Sequence, residues 1–278
     1  MYFYKQSRDH FKPDDLGSLY YSPTGNFYAI EDWVLNKELG KPIRPIIYIG
    51  GQMEHRWHIF EQTGITFDPG HSLFNGSWMY DYSIFTNDKD RINAKSFTEN
   101  FIKSLEMADL EDVDIITHSF GGIIGALATN NERIHKVYAI HPPATGTPLA
   151  NPKYIDNYKH LLNKEELLLL KLIKLVINPN YGFEKDNFNG LDLRNVNLNK
   201  LVVIGSSLNP EVETGLNLNL YNMVKKVTGY ENDGVVIFDE ALFNRLGINY
   251  VKENSHNNHF ASGTKEAFDF ARELSKKA

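Results

Sequence analysis

Residues Ile115-Ile116-Thr117-His118-Ser119-Phe120-Gly121-Gly122 place three things in one short stretch: an apolar run, a serine, and a glycine-led helix start. A short apolar run fits a strand covered on both faces, and a helix that follows at once is the crossover of a parallel βαβ unit. The same alternation recurs along the chain. Pro45-Ile46-Ile47-Tyr48-Ile49 runs into Gly50-Gly51, and Asp114-Ile115-Ile116-Thr117, Lys136 to Ile140, Leu201 to Ile204 and Ile248 to Val251 read as further strands. The expected class is α/β, a mostly parallel central sheet flanked by helices. The aromatic-rich first forty residues, ending at Pro42 and Pro45, read as additional edge strands or a hairpin.

Helical patterns lie between these strands. Ser96 and Glu99 form a capping-box pair ahead of Phe97, Phe101, Leu105 and Ala108, and a helix begins near Gly121 with Ile123, Ile124 and Leu127. At the C-terminus Ser262 or Thr264 caps a helix burying Ala267, Phe268, Ala271 and Leu274. From Leu149 to Asn199 the chain is longer than an ordinary crossover needs. Its centre pairs Asn163 with Glu166 as a cap and continues as Leu167 to Ile177, with Lys164, Lys171, Lys174 and Asn178 as a narrow polar stripe. A helix this apolar must be covered, as core or as a movable flap. The expected organisation is one domain over 1–278 with a helical cap or lid inserted at 150–199.

Composition narrows the chemistry. With 29 Lys+Arg against 35 Asp+Glu the formal net charge is −6, and the chain lacks the basic stripe of a nucleic-acid binder. There is no cysteine, which removes disulfides, thiolate metal sites and a cysteine nucleophile. The start, Met1-Tyr2-Phe3-Tyr4-Lys5, has no basic segment leading into an apolar run, and charges interrupt the stretch from Leu161 to Ile177. A soluble protein without a transmembrane segment is expected, cytoplasmic, or secreted if a leader has been removed. The His55-x-x-His58 pair lacks the glutamate of zincin spacing and a third ligand nearby, so these histidines read as rim or surface residues, and no metal or cofactor is expected.

Ser119 has two readings. It is a plain helix cap after a buried strand, or it sits on the strained strand–turn–helix of a nucleophile elbow, where Gly121 supplies the small downstream residue and Thr117 stands where glycine is usual. With this motif the chain resembles the α/β-hydrolase superfamily, and within it the bacterial lipases and esterases. Three further stretches extend the resemblance in order: Gly50-Gly51-Gln52 in place of the His-Gly oxyanion turn, His141-Pro142-Pro143-Ala144-Thr145-Gly146-Thr147-Pro148-Leu149-Ala150 after a strand, and Asn232-Asp233-Gly234-Val235-Val236 in the acid segment.

The resemblance implies a serine nucleophile, an acid and a histidine in that order along the chain. Ser119 is then the nucleophile, and Asp233 the acid, with Asp192 and Asp239 as fallbacks. His259 is the base, with His256 as the alternative, because only these two of ten histidines follow Asp233. His118 adjoins Ser119, but neighbouring side chains at a strand end point in opposed directions. The oxyanion donors implied are the backbone N–H of Phe120 and that of Gln52, with Gly51 as the alternative. The implied activity is hydrolysis of a small-molecule or lipid carboxylic ester. An acyltransferase or thioesterase on the same fold, or an inactive binder of an apolar ligand, is the alternative.

Overall fold

The computed structural model describes residues 17–22, 28–29, 45–51, 77–82, 93–176, 188–252, 259 and 265–277. Eight strands form one sheet. They are β1 (Gly17–Ser22), β2 (Tyr28–Ala29), β3 (Ile46–Ile49), β4 (Ser77–Tyr82), β5 (Val113–His118), β6 (Ile134–Ile140), β7 (Leu201–Gly205) and β8 (Tyr250–Lys252). Their order across the sheet is β2-β1-β4-β3-β5-β6-β7-β8. The six strands from β4 to β8 run parallel, and β1 and β2 add an antiparallel pair at one edge. Each of the five apolar runs singled out in the sequence contains a strand, the last beginning only at Tyr250, two residues into the expected run. β4 is the strand that the sequence reading lacks. Its inward residues Trp78, Tyr80 and Tyr82 are buried, yet Asp81 between them is buried as well, so no alternation of apolar and polar residues marks it.

The helices are α1 (Ala94–Met107), α2 (Gly121–Ala128), α3 (Pro152–Ile155), α4 (Lys164–Val176), α5 (Gly215–Thr228), α6 (Glu240–Leu246) and α7 (Lys265–Ser275). The start of α1 corrects the expected cap. Asn93, not Ser96, is the N-cap, and its Oδ1 accepts from the Ser96 N–H at 2.9 Å. Asparagine three residues earlier wins because its short carbonyl reaches the orphan N–H groups of the first turn. At α4 the expected pair does form: Glu166 N–H donates to Asn163 Oδ1, and Asn163 N–H donates to Glu166 Oε2. Ser262, Thr264 and Asn178 lie outside the described residues.

The sheet divides the core into two layers. On one face Ile47, Ile49, Ile115 and Val137 pack with Phe97, Phe101, Ile123 and Ile124 of α1 and α2. On the other, Tyr48, Ile116, Tyr138 and Ile204 pack with Ala267, Phe268 and Ala271 of α7. A third cluster lies apart, where Ile155, Leu162 and Leu170 of the inserted segment meet Leu220, Met223 and Val224 of α5 and Ile237. Among the described residues no helix is long and apolar enough to cross a membrane.

This topology fixes where a site can form. The chain steps outward from β3 to β4, then returns past β3 to lay down β5, β6, β7 and β8 in turn. The reversal leaves a crevice at the carboxyl ends of β3 and β5, the place where open α/β sheets bind ligands. Gly50 follows β3 there, Ser119 follows β5 and His141 follows β6.

Candidate active site

Ser119 is held in a left-handed backbone conformation, φ 49°, one of four non-glycine residues with positive φ among the described residues. Its N–H donates to Ile140 O at 2.9 Å, and its carbonyl accepts from Gly122 N–H at 2.9 Å as α2 begins. A non-glycine residue in this region is strained, and here neighbouring strand and helix together hold it. The turn is tight enough to dictate its neighbours. A Cβ on Gly121 would come within 2.4 Å of Gly50 O, and one on Gly122 within 2.5 Å of the Pro142 Cβ. Thr117, where the elbow pattern has glycine, is fully buried. The space it needs is surrendered by Gly125 one turn into α2, where an added Cβ would sit 2.9 Å from the Thr117 methyl.

Ser119 Oγ lies 2.9 Å from His259 Nε2, and His259 Nδ1 lies 2.8 Å from Asp233 Oδ2. The backbone ties these residues as well, since His259 N–H donates to Asp233 O at 3.0 Å. Asp233 is fully buried in a turn built for it. Its Oδ1 accepts from the N–H groups of Val235 and Val236 at 2.9 and 2.8 Å. Gly234 takes φ 99°, Asn232 Oδ1 accepts from its N–H, and Thr147 Oγ1 donates to Val235 O from the segment after β6.

Electrostatics decide the protonation of this chain of groups. Burial pulls the Asp233 carboxyl toward its neutral form, but the charge of His259 and hydrogen bonds from His141 and His259 outweigh it and hold the group well below the usual carboxylate range. An ionised carboxylate only accepts, so His259 Nδ1 carries a proton, and in the neutral ring Nε2 accepts from the Ser119 hydroxyl. This is the protonation state a general base needs.

The two fallback acids fall elsewhere. Asp192 is exposed and paired with Arg194, and Asp239 caps α6 by accepting from Leu242 N–H at 2.9 Å. Phe120 is buried against Tyr82 and Phe97, immediately before the first turn of α2. Gly51 follows β3, whose turn is held by Tyr82 O–H donating to Gly50 O at 3.3 Å. Gln52, His256, His55 and His58 lie outside the described residues.

Two histidines set aside as bases nonetheless line this site. The His118 ring lies against that of His259, with centroids 5.3 Å apart, although strand alternation predicts that it points away from its neighbour's partners. The strained turn at Ser119 breaks that alternation. His141 Nδ1 lies 2.6 Å from the same Asp233 Oδ2 that His259 contacts. The signal for it in the sequence is its place, directly after a central strand and before Pro142-Pro143.

His141, Asp233 and His259 offer donor atoms within 4.8 Å of one another, as a metal site would. The two N···O separations are hydrogen-bond distances, too short to admit an ion with bonds near 2.0–2.1 Å to each at a tetrahedral angle. The geometry therefore describes a proton network.

No protein-family model and no curated protein matches the sequence. Solved structures do. A Bacillus licheniformis lipase, BlEst2, in its mature form is similar at a TM-score of 0.53 and 14% identity, over 84% of this chain and 94% of that one. Its propeptide form is similar at 0.55 and 16%, over 84% of this chain and 51% of that one. An esterase from Exiguobacterium antarcticum is similar at 0.48 and 13%, over 86% and 92%. With a six-strand parallel core, helices on both faces and a serine turn after β5, the chain has the α/β-hydrolase fold.

Proposed function

We propose that the protein is a serine hydrolase that cleaves carboxylic esters through an acyl-enzyme on Ser119. One observation carries this reading: Ser119 Oγ, His259 and Asp233 form a continuous hydrogen-bonded chain at the strained turn after the central strand. A plain helix-capping serine needs neither the left-handed backbone nor a histidine backed by a buried carboxylate.

In the proposed mechanism His259 Nε2 takes the Ser119 proton as Oγ attacks the ester carbonyl. Asp233 stabilises the imidazolium, which then protonates the leaving alkoxide, so the C–O bond breaks and the alcohol departs. Water enters, gives its proton to His259 and attacks the acyl carbon. Ser119 Oγ leaves with that proton and the carboxylic acid is released. The oxyanion is met by the Phe120 N–H at the positive end of α2 and by a second N–H from the turn after β3, that of Gln52 or Gly51.

The segment 150–199 serves as a cap that supplies apolar surface for the acyl chain of a small-molecule or lipid ester. Support comes from its packing on α5 and beside the acid loop, through Leu170, Leu220 and Ile237. The test is twofold. A fluorophosphonate probe should label Ser119, and p-nitrophenyl esters of increasing chain length should be turned over. Ser119→Ala should lose labelling and reduce kcat on the order of 10⁶-fold. No turnover and no labelling of the parent sinks the proposal, whereas labelling with acyl transfer to an added alcohol in preference to water redirects it to an acyltransferase.

A further inference from the structure

Asp233 serves two histidines. Its Oδ2 is 2.8 Å from His259 Nδ1 and 2.6 Å from His141 Nδ1, while its Oδ1 accepts two backbone N–H groups. Since an ionised carboxylate only accepts, His141 must also carry its proton on Nδ1. One carboxylate thus receives four donors, and one of them competes with His259 for the same oxygen.

The chain goes to some expense to put His141 there. It is fully buried and holds φ 43°, the left-handed region that few non-glycine residues adopt. Its N–H donates to Ile204 O at 2.8 Å, which ties it to β7. Phe238 stands 6.0 Å from the ring, and a Cβ on Gly205 would come within 3.1 Å of its Nε2. Among the described residues, Asp233 and His259 are titratable groups set against it, the latter nearly perpendicular at 6.3 Å, with His118 behind His259.

We propose that His141 is a positioning residue which, by donating from Nδ1 to Asp233 Oδ2, fixes the carboxylate in line with His259 and limits how basic His259 becomes. This rests on the hydrolase reading only for its effect on turnover, since the coupling between the two rings exists whatever the reaction. The sign follows from charge sharing. A carboxylate whose negative charge is partly satisfied by His141 stabilises the His259 imidazolium less. Asp233 is held well below the usual carboxylate range, so an acid limb in ester turnover is not its own titration. Loss of the His141 donor raises the pH at which His259 titrates and moves that limb upward, by about one pH unit.

The test compares His141→Gly and His141→Asn with the parent. Both residues tolerate a positive φ, and asparagine keeps a donor close to the Nδ1 position. NMR titration of the His259 ring should move up by about one unit in His141→Gly and stay near the parent in His141→Asn. In ester turnover kcat should fall more than KM changes in His141→Gly, with rescue in His141→Asn. On the parent itself, nitrogen–proton correlation should find His141 protonated at Nδ1 while His259 is neutral. His259 titrating at the same pH in parent and His141→Gly, or a parent His141 protonated at Nε2 alone, overturns the proposal. If His259 shifts as expected in a parent that takes no fluorophosphonate and turns over no ester, the hydrolase reading fails while the coupling stands.

Discussion

Asp233 and the helix α4 are each anchored by buried groups, but by opposite means. The Asp233 carboxylate is held by four directed donors, two from histidine rings and two from its own turn. Helix α4 has one buried seam, typified by Leu170, a reciprocal cap between Asn163 and Glu166, and an ion pair from the buried Glu166 to Lys226 at 2.7 Å. Its far side leaves Leu168 60% and Leu172 51% exposed. Directed hydrogen bonds specify atomic position, whereas apolar burial specifies only proximity. In the proposed reading one region holds a proton path and the other covers a surface.

Substitutions should separate the two. The largest effect is expected at Asp233→Asn, which keeps the shape but loses the acceptor charge that sets the His259 tautomer, with kcat falling about 10⁴-fold. Steady-state assays would check it, and a fall below tenfold would show that the carboxylate does not orient His259. A second expectation is that Glu166→Ala lowers stability by about 1–2 kcal/mol, since it removes a helix cap and the partner of a half-exposed lysine. Chemical denaturation measures this, and no change in midpoint would mean that α4 is held by Leu170 and its neighbours alone. The smallest effect belongs to the double change Leu168→Ser and Leu172→Ser, which should alter stability by no more than about 0.5 kcal/mol. A larger loss would reveal that these leucines are packed in the folded chain, and would remove the contrast with Asp233.

Much of the frame was legible because it depends on local pattern. Short apolar runs mark β3, β5, β6, β7 and β8, and the glycines after Ser119 mark a helix that must approach the β3 turn. The legible part stops where packing overrides pattern. β4 has a buried aspartate where a polar outward residue is expected, and α1 is capped by Asn93 instead of Ser96 because cap strength depends on which carbonyl reaches the first turn.

Within the site the division is sharper. Residue order and motif bring Ser119, Asp233 and His259 forward from the sequence, because a strand–serine–glycine turn and an Asn-Asp-Gly turn are local features. That His141 and His118 also gather there is a tertiary fact. They lie at the ends of adjacent parallel strands, whose side chains meet only once the sheet is assembled in the register Thr117↔Ala139 and His118↔Ile140. Gly125 making room for Thr117 is of the same kind. A linear sequence carries spacing along one strand, and the distance between strand ends exists only after the crossovers have closed.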